Sequence, residues 1–413
     1  MGRGWICYSI IMRKVYMDYA ASAPIDKKVR LEMKRVSNLY ANPGTIHKEG
    51  VKAMTEISNA RKKIADVLYA HPDEIIFTGS ATESIAIALL GTVYALDFKI
   101  LNNKLPHIIT TNIEHKSVLE NCKILEKKNL VEVSYLEVDE KGILDPKILK
   151  KYLKENTILV SVGYANNEIG TIQNIQEIAK EIRHYRKAHS IKHIAQSNDY
   201  PLFHTDATQA INYLFIKNME KLGVDMMSFN GAKIYGPKGI GVLYKKRGIN
   251  ISPLYVGGGQ EFGLRPGTEN IESILGIAKA LKIAEKMKDK ESIRLEKLRD
   301  IFIEQLKNLN KETGFKITIN GDEKNRLPNN INISIDKISN ELVLIELDAK
   351  GIMISTKSAC GANDEETSHV IEAIKNKKLE SLRFSLGRET KEKDILYVIK
   401  ILKNILLKYK DML

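Results

Sequence analysis

Pro201-Leu-Phe-His-Thr-Asp-Ala-Thr-Gln209 and Asp225-Met-Met-Ser-Phe-Asn-Gly-Ala-Lys-Ile-Tyr-Gly-Pro-Lys-Gly-Ile-Gly241 are the stretches whose reading decides the fold. Each is a short apolar run that gives way to polar and small residues, the pattern of a buried strand whose carboxyl end opens into a loop. The same pattern recurs on the N-terminal side at residues 74–78, 107–112, 131–138 and 157–164, each run followed by a polar or glycine-containing loop and then a helical pattern. Strands and helices in alternation predict an α/β fold with a mostly parallel sheet and helices on both faces. Ligands of such sheets bind outside the carboxyl ends of the strands. The loops 79–84, 112–115, 165–170 and 204–209 are therefore the places to look for function.

After residue 270 the pattern changes to a long charged helix, predicted over 271–310, with apolar positions at Leu275, Ala278, Leu281, Ala284 and Met287. A strand at 330–335, a helix at 341–349, a polar loop around Cys360, a strand at 381–386 and a closing amphipathic helix at 392–407 follow. This reads as a large domain over residues 13–270, whose first residues pack on the other unit, and a smaller α+β domain over 271–413. Residues 1–12 hold one arginine and a short apolar run without a small-residue cleavage pattern. They read as a leader outside the fold rather than a signal peptide, with Met12 as the expected start.

At 413 residues, with 43% apolar and 28% charged, the chain can bury a large core without disulfide or metal staples. Its three cysteines, Cys7, Cys122 and Cys360, are too few and too scattered for a disulfide framework, which points to a reducing, cytoplasmic setting. The most apolar stretch, 85–96, is too short to span a membrane and reads as a buried helix. A net charge of +13 comes mostly from lysines spread in small clusters, such as Arg61-Lys62-Lys63. That describes a solvated surface, and neither a nucleic-acid face nor a metal site is expected.

Gly79-Ser80-Ala81-Thr82 joins a strand to a helix, where backbone N–H groups at the helix start face an anion such as phosphate, although small residues also make ordinary turns. Asp206 ends a strand, where a carboxylate can hold a protonated ring nitrogen or cap the next helix. Lys233 lies 27 residues further on, between an apolar run and a glycine-rich turn. A lysine desolvated there loses its proton readily and becomes an amine able to form a Schiff base; a lone lysine more commonly snorkels to water. Cys360 lies among small and polar residues in Ile354-Ser-Thr-Lys-Ser-Ala-Cys-Gly-Ala-Asn-Asp364, with Lys357 nearby to favour the thiolate. Cys122, in Val118-Leu-Glu-Asn-Cys-Lys-Ile-Leu125, reads as core.

Taken together in chain order, these segments resemble the fold-type I pyridoxal phosphate enzymes, their class V aminotransferase branch and, within it, the cysteine desulfurase family. The resemblance runs from about Tyr16 to Arg388. It is carried by Tyr16-Met-Asp-Tyr-Ala-Ala-Ser-Ala-Pro24, Glu114-His115-Lys-Ser-Val-Leu, Asn166-Asn-Glu-Ile-Gly170, Asp206-Ala-Thr-Gln209, Lys233-Ile-Tyr-Gly-Pro-Lys-Gly239, Gly257-Gly-Gly-Gln-Glu261, Arg265-Pro-Gly-Thr-Glu-Asn270, Ser358-Ala-Cys360 and Arg383-Phe-Ser-Leu-Gly-Arg388. It implies that Lys233 holds pyridoxal 5'-phosphate, that Asp206 pairs with the ring nitrogen, and that His115 stacks on the ring and moves protons. It further implies that Gln209 bonds the ring oxygen and that Ala81, Thr82 and Asn230 hold the phosphate together with Thr268 of a second subunit, hence a homodimer. Asn167, counted also among the cofactor contacts, and Arg383 would grip the carboxylate of L-cysteine. Cys360 would take the sulfur as a persulfide, release L-alanine and pass the sulfur to an acceptor protein, an iron–sulfur scaffold or a thiolation enzyme.

The chain departs from the family pattern at its phosphate end. Ala232 stands where histidine usually precedes the lysine, and Asn230 where serine is usual. The usual Ser-Gly-Ala-Thr order appears as Gly79-Ser80-Ala81-Thr82, and Ile85 and Ala86 replace a pair of asparagines. These changes predict weakened cofactor retention. They keep two other readings open: a class V aminotransferase or selenocysteine lyase using the same pocket, and a catalytically degenerate sulfur-relay scaffold. Residues 184–200 read as a long surface loop.

Overall fold

The computed structural model describes residues 13–96, 104–189, 199–214, 216, 218–356, 368–375, 377 and 379–410. Cys7 and Cys360 lie outside the described residues.

The first half of the chain runs β1 (Val15–Tyr16), α1 (Lys27–Val36), α2 (Lys48–Leu68), β2 (Ile75–Thr78), α3 (Ala81–Tyr94), β3 (His107–Thr111), α4 (Lys116–Lys127), β4 (Glu132–Leu136), α5 (Pro146–Tyr152), β5 (Thr157–Ser161), α6 (Ile175–Ala188) and β6 (Leu202–Asp206). It continues through α7 (Met219–Leu222), β7 (Met226–Asn230), β8 (Gly241–Lys245), α8 (Ile271–Thr313), β9 (Ile317–Ile319), β10 (Asn330–Ile335), α9 (Asn340–Asp348), β11 (Ile352–Met353), α10 (His369–Lys375), β12 (Leu382–Ser385) and α11 (Glu392–Lys410). The sequence-predicted strands and helices are present, with the strands trimmed where their last residues turn into loops. Residues 184–188 are an exception to the reading of a long loop over 184–200, because α6 continues through them.

Seven strands form the central sheet in the order β2-β8-β7-β6-β5-β3-β4. The steps from β7 to β4 are all parallel, while β8 is antiparallel to both β2 and β7. Its direction has a simple cause. Residues 231–240 are all that separate β7 from β8, too few for the helical crossover that a parallel return requires, so the chain doubles back. Two buried histidines stitch the parallel strands laterally. His107 bridges Ser134 on β4 (2.8 Å) and Thr157 on β5 (2.9 Å), and His204 bridges Ser161 on β5 and Ser228 on β7 (2.9 Å each). Burial pushes the His204 ring down to about 3, which keeps it neutral and able to donate at one nitrogen and accept at the other.

Helix α3 is buried on most of its circumference, as the apolar stretch 85–96 predicts. The long α8 starts under the Asn270 side chain, which accepts Ser273 N–H at 3.0 Å, and stops at left-handed Gly314 (φ 78°). Its N-terminal part lies among helices that cover the large sheet, including α1 and α2, and its C-terminal part packs beside α11 and the three-stranded antiparallel sheet β12-β10-β9. The first described residues cross between these layers. β1 pairs in parallel with β11, and Asp18 bridges to Ser385, so residues 15–24 form a strap tied to the small sheet.

Candidate active site

At the carboxyl ends of β5, β6 and β7 a cavity opens that is lined by Ala81, Thr82, His115, Asn167, Asp206, Gln209, Asn230, Lys233 and Arg383, together with Ala20, Ala21 and Glu114. Residues from across the sequence thus converge on one cavity. Two of the sequence-predicted residues are not among them. Cys360 is outside the described residues, and Thr268 is exposed and does not line the cavity of its own chain.

The lysine is positioned by the turn after β7. The Asn230 side-chain oxygen accepts the Lys233 N–H at 3.2 Å, which closes a single 3-10 turn and presents the side chain inward. Gly231 permits this turn, since an added Cβ would lie 2.4 Å from the Pro237 carbonyl oxygen. Lys233 Nζ donates to the Ala21 carbonyl of the strap. With its oxygen committed to capping, Asn230 keeps its amide N–H groups for a ligand on the cavity side.

Asp206 ends β6, and one of its oxygens accepts the Thr208 N–H at 2.9 Å. Gln209 is nearly buried and donates from Nε2 to the Ala20 carbonyl at 3.0 Å. His115 caps α4, where Nδ1 accepts the Ser117 N–H at 3.1 Å. Beside it the Glu114 carboxyl is enclosed beneath the Gly163 N–H (3.0 Å to each oxygen) and the Thr111 hydroxyl (2.7 Å). Burial pushes that carboxyl up to about 7, and the charge of Asp206 adds to the rise.

At the opposite end Ser80 caps α3 by accepting the Glu83 N–H at 3.1 Å, so the first N–H groups of the helix converge near Ala81 and Thr82. The start of β8 lies directly against this loop, because a Cβ on Gly241 would come within 2.4 Å of the Ser80 carbonyl carbon. Glu83 in turn accepts from the Gly79 N–H, the Tyr255 hydroxyl (2.7 Å) and Arg265 Nε (3.1 Å).

Arg383, on β12, is 1% exposed. It pairs through Nη2 with Asp18 (2.8 Å) and through Nη1 with the Asn167 carbonyl (3.1 Å), while its buried Nε has no partner among the described residues. Asn167 is placed by its neighbour Asn166, whose side chain takes the Glu168 and Ile169 N–H groups at 2.9 and 3.0 Å and donates to Ile113 at 2.9 Å. Cys122 is buried as predicted, and burial pushes its thiol up to about 12, which makes it inert.

Glu114, Asp18 and the two strap carbonyls escaped the sequence reading. Glu114 and Asp18 were each visible inside a quoted motif. Nothing in their spacing announced the partners they meet.

Comparison with known proteins places this geometry. Residues 15–398 match the aminotransferase class-V family. The cysteine desulfurase IscS of Dictyoglomus turgidum is 43% identical over 399 residues, covering 95% of each chain. Among solved structures, a NifS-like protein superposes with a TM-score of 0.83 at 34% identity, covering 95% of this chain and 99% of that one. SspA in complex with cysteine superposes at 0.73 and 34% identity, with 90% and 98% covered.

Proposed function

Since the chain belongs to the aminotransferase class-V family, and within it is a cysteine desulfurase, we propose that it holds pyridoxal 5'-phosphate on Lys233 and moves the sulfur of L-cysteine onto Cys360. The observation that carries this reading is the cavity itself. An amine, a strand-end carboxylate, a helix N-terminus and a buried arginine with a spare N–H line one space, and these four groups suit the aldehyde, ring nitrogen, phosphate and substrate carboxylate respectively. When bound, pyridoxal phosphate supplies an electron sink for the carbanion at the substrate Cα.

The residues divide the remaining work. Asp206 supplies the negative charge that keeps the ring nitrogen protonated. Gln209, fixed on Ala20, offers its second amide N–H to the ring oxygen. Thr82, the Ala81 N–H and the Asn230 amide hold the phosphate. The amine of Lys233, once released, rests on the Ala21 carbonyl and exchanges a proton at Nζ. His115 is tied at Nδ1 to Ser117, so its proton exchange falls to Nε2. Asn167 and Arg383 receive the substrate carboxylate.

The Cys360 thiolate then attacks the sulfur of the substrate. The substrate carbon–sulfur bond breaks, a sulfur–sulfur bond forms on Cys360, and the former Cβ takes a proton as alanine leaves. That one of the similar solved structures is a complex with cysteine supports the choice of substrate. Thr268, absent from its own cavity, supports a homodimer in which each subunit completes the other's phosphate site. The persulfide passes to a sulfur-acceptor protein, either an iron–sulfur scaffold or a thiolation enzyme. No helix among the described residues is long and apolar enough to cross a membrane, and the sparse cysteines suit a cytoplasmic enzyme.

Intact mass and absorbance of the purified, pyridoxal phosphate-supplemented protein before and after L-cysteine test this reading. Sulfur added to wild type but to neither Lys233→Ala nor Cys360→Ala, with alanine released, is the expected result. Bound cofactor without added sulfur would favour the aminotransferase reading, and no bound cofactor the degenerate scaffold.

A further inference from the structure

Arg383 sits deep inside the protein, 1% exposed, and a guanidinium in such a place needs a compensating charge. The carboxylate bonded to it comes from Asp18, 365 positions away, at 2.8 Å on Nη2. Asp18 is not a loose counterion. Its backbone is fixed on both sides: Met17 N–H donates to Met353 (2.9 Å), Ser385 N–H donates to Met17 (2.7 Å), and Ala20 N–H donates to the Ser385 hydroxyl (2.9 Å). The Tyr16 hydroxyl closes the loop onto the Asp18 and Ser22 carbonyls at 3.0 and 2.7 Å.

With Nη2 on Asp18 and Nη1 on the Asn167 carbonyl, the planar guanidinium is held at two corners. Its third corner, Nε, is buried without a partner among the described residues, on a side chain that lines the cavity. A buried donor left without a partner costs stability unless a ligand or water completes it. We infer that Asp18 is a positioning residue for substrate recognition: it clamps Arg383 so that the Nε edge stays directed at the incoming amino-acid carboxylate. The inference rests on Arg383 receiving that carboxylate, as proposed above.

Removing the clamp costs orientation at the carboxylate and leaves the ring contacts of Asp206 and Gln209 unchanged. The effect should therefore appear only with ligands that carry a carboxylate. The test uses the enzyme loaded with pyridoxal phosphate and follows its absorbance while titrating either L-cysteine or cysteamine, which has the same amine and thiol and no carboxylate. Asp18→Ala should weaken apparent L-cysteine binding by about tenfold or more and leave cysteamine within about twofold. Asp18→Asn, which keeps an oxygen facing Nη2 but not the charge, should weaken L-cysteine binding by about threefold and again spare cysteamine. Because Asp18 acts through Arg383, Asp18→Asn should add nothing further to Arg383→Gln. This cycle keeps the test decisive should Asp18→Ala fold poorly.

Equal weakening of both ligands, unchanged L-cysteine binding in Asp18→Ala, or an additive double variant would overturn the positioning role while leaving the desulfurase reading intact. A wild-type enzyme that does not prefer L-cysteine to cysteamine would overturn the assignment of Arg383 together with that of Asp18.

Discussion

The two ends of the cavity are built on different principles. At the end proposed for the ring and carboxylate, the lining groups are side chains, each fixed by a contact inside the protein. Lys233 and Gln209 reach the strap carbonyls, Arg383 reaches Asp18, and Asp206 continues the strand whose His204 is stitched into the sheet. At the end proposed for the phosphate, the donors are backbone N–H groups at the start of α3, capped by Ser80, and the Asn230 amide, whose oxygen caps the lysine turn, with Thr82 exposed. Backbone donors need only the right turn, so sequence can drift there while geometry persists. Side-chain chemistry allows no such latitude. This accounts for the departures from the family pattern collecting at one end while the residues proposed to react are intact at the other.

Exchanging the side-chain reagent should be far more damaging than trimming a phosphate contact. Lys233→Ala is expected to lower sulfur loading by roughly a thousandfold or more and to abolish the visible absorbance of the lysine-bound cofactor. Thr82→Ala should retain that absorbance and most of the loading. A comparable loss in both variants, read by mass and spectrum, would erase the contrast.

The floor of the ring end makes a second prediction. The unfolded chain protonates His204 below about pH 6.5, whereas the folded chain resists until about 3, so His204 withdraws stability as the medium acidifies. At pH 5 that amounts to about 2 kcal/mol. His204→Gln keeps a donor and an acceptor for Ser161 and Ser228 without titrating. Urea unfolding should show the gap between wild type and variant narrowing by about this much from pH 7 to pH 5. A constant gap would mean that His204 is not held neutral.

The smallest effect belongs to the drifted end. Asn230→Ala removes both the cap on the lysine turn and the proposed phosphate donor, and should raise the dissociation constant of pyridoxal phosphate by about fivefold. Asn230→Ser, which restores the usual family residue, should stay within about twofold of wild type. Equilibrium dialysis with absorbance detection checks both. A hundredfold change in either would show that the phosphate end tolerates little after all.

Much of this architecture was legible in the chain. Alternating apolar runs and helical periods marked out the sheet strands through Asp206, and the motifs marked nine residues that the cavity gathers. The antiparallel β8 was less visible, because direction depends on how much chain remains for the return, and the reading weighed composition rather than loop length. The long loop over 184–200 failed at its start for a related reason. Polar residues on α6 face solvent, and their polarity conceals a helix whose other side is buried.

By itself, then, the sequence determined which segments are buried, which local turns form and which reactive groups are present, since these follow from the periodicity and chemistry of neighbouring residues. Tertiary structure alone decided that Asp18 reaches Arg383, that Ala21 receives Lys233 and that Glu114 lies sealed beside Asp206. Those contacts join residues far apart in the chain, and local pattern carries no record of them. They exist because the strap is drawn across the carboxyl ends of the strands by its pairing with the small sheet, and only packing brings those surfaces together.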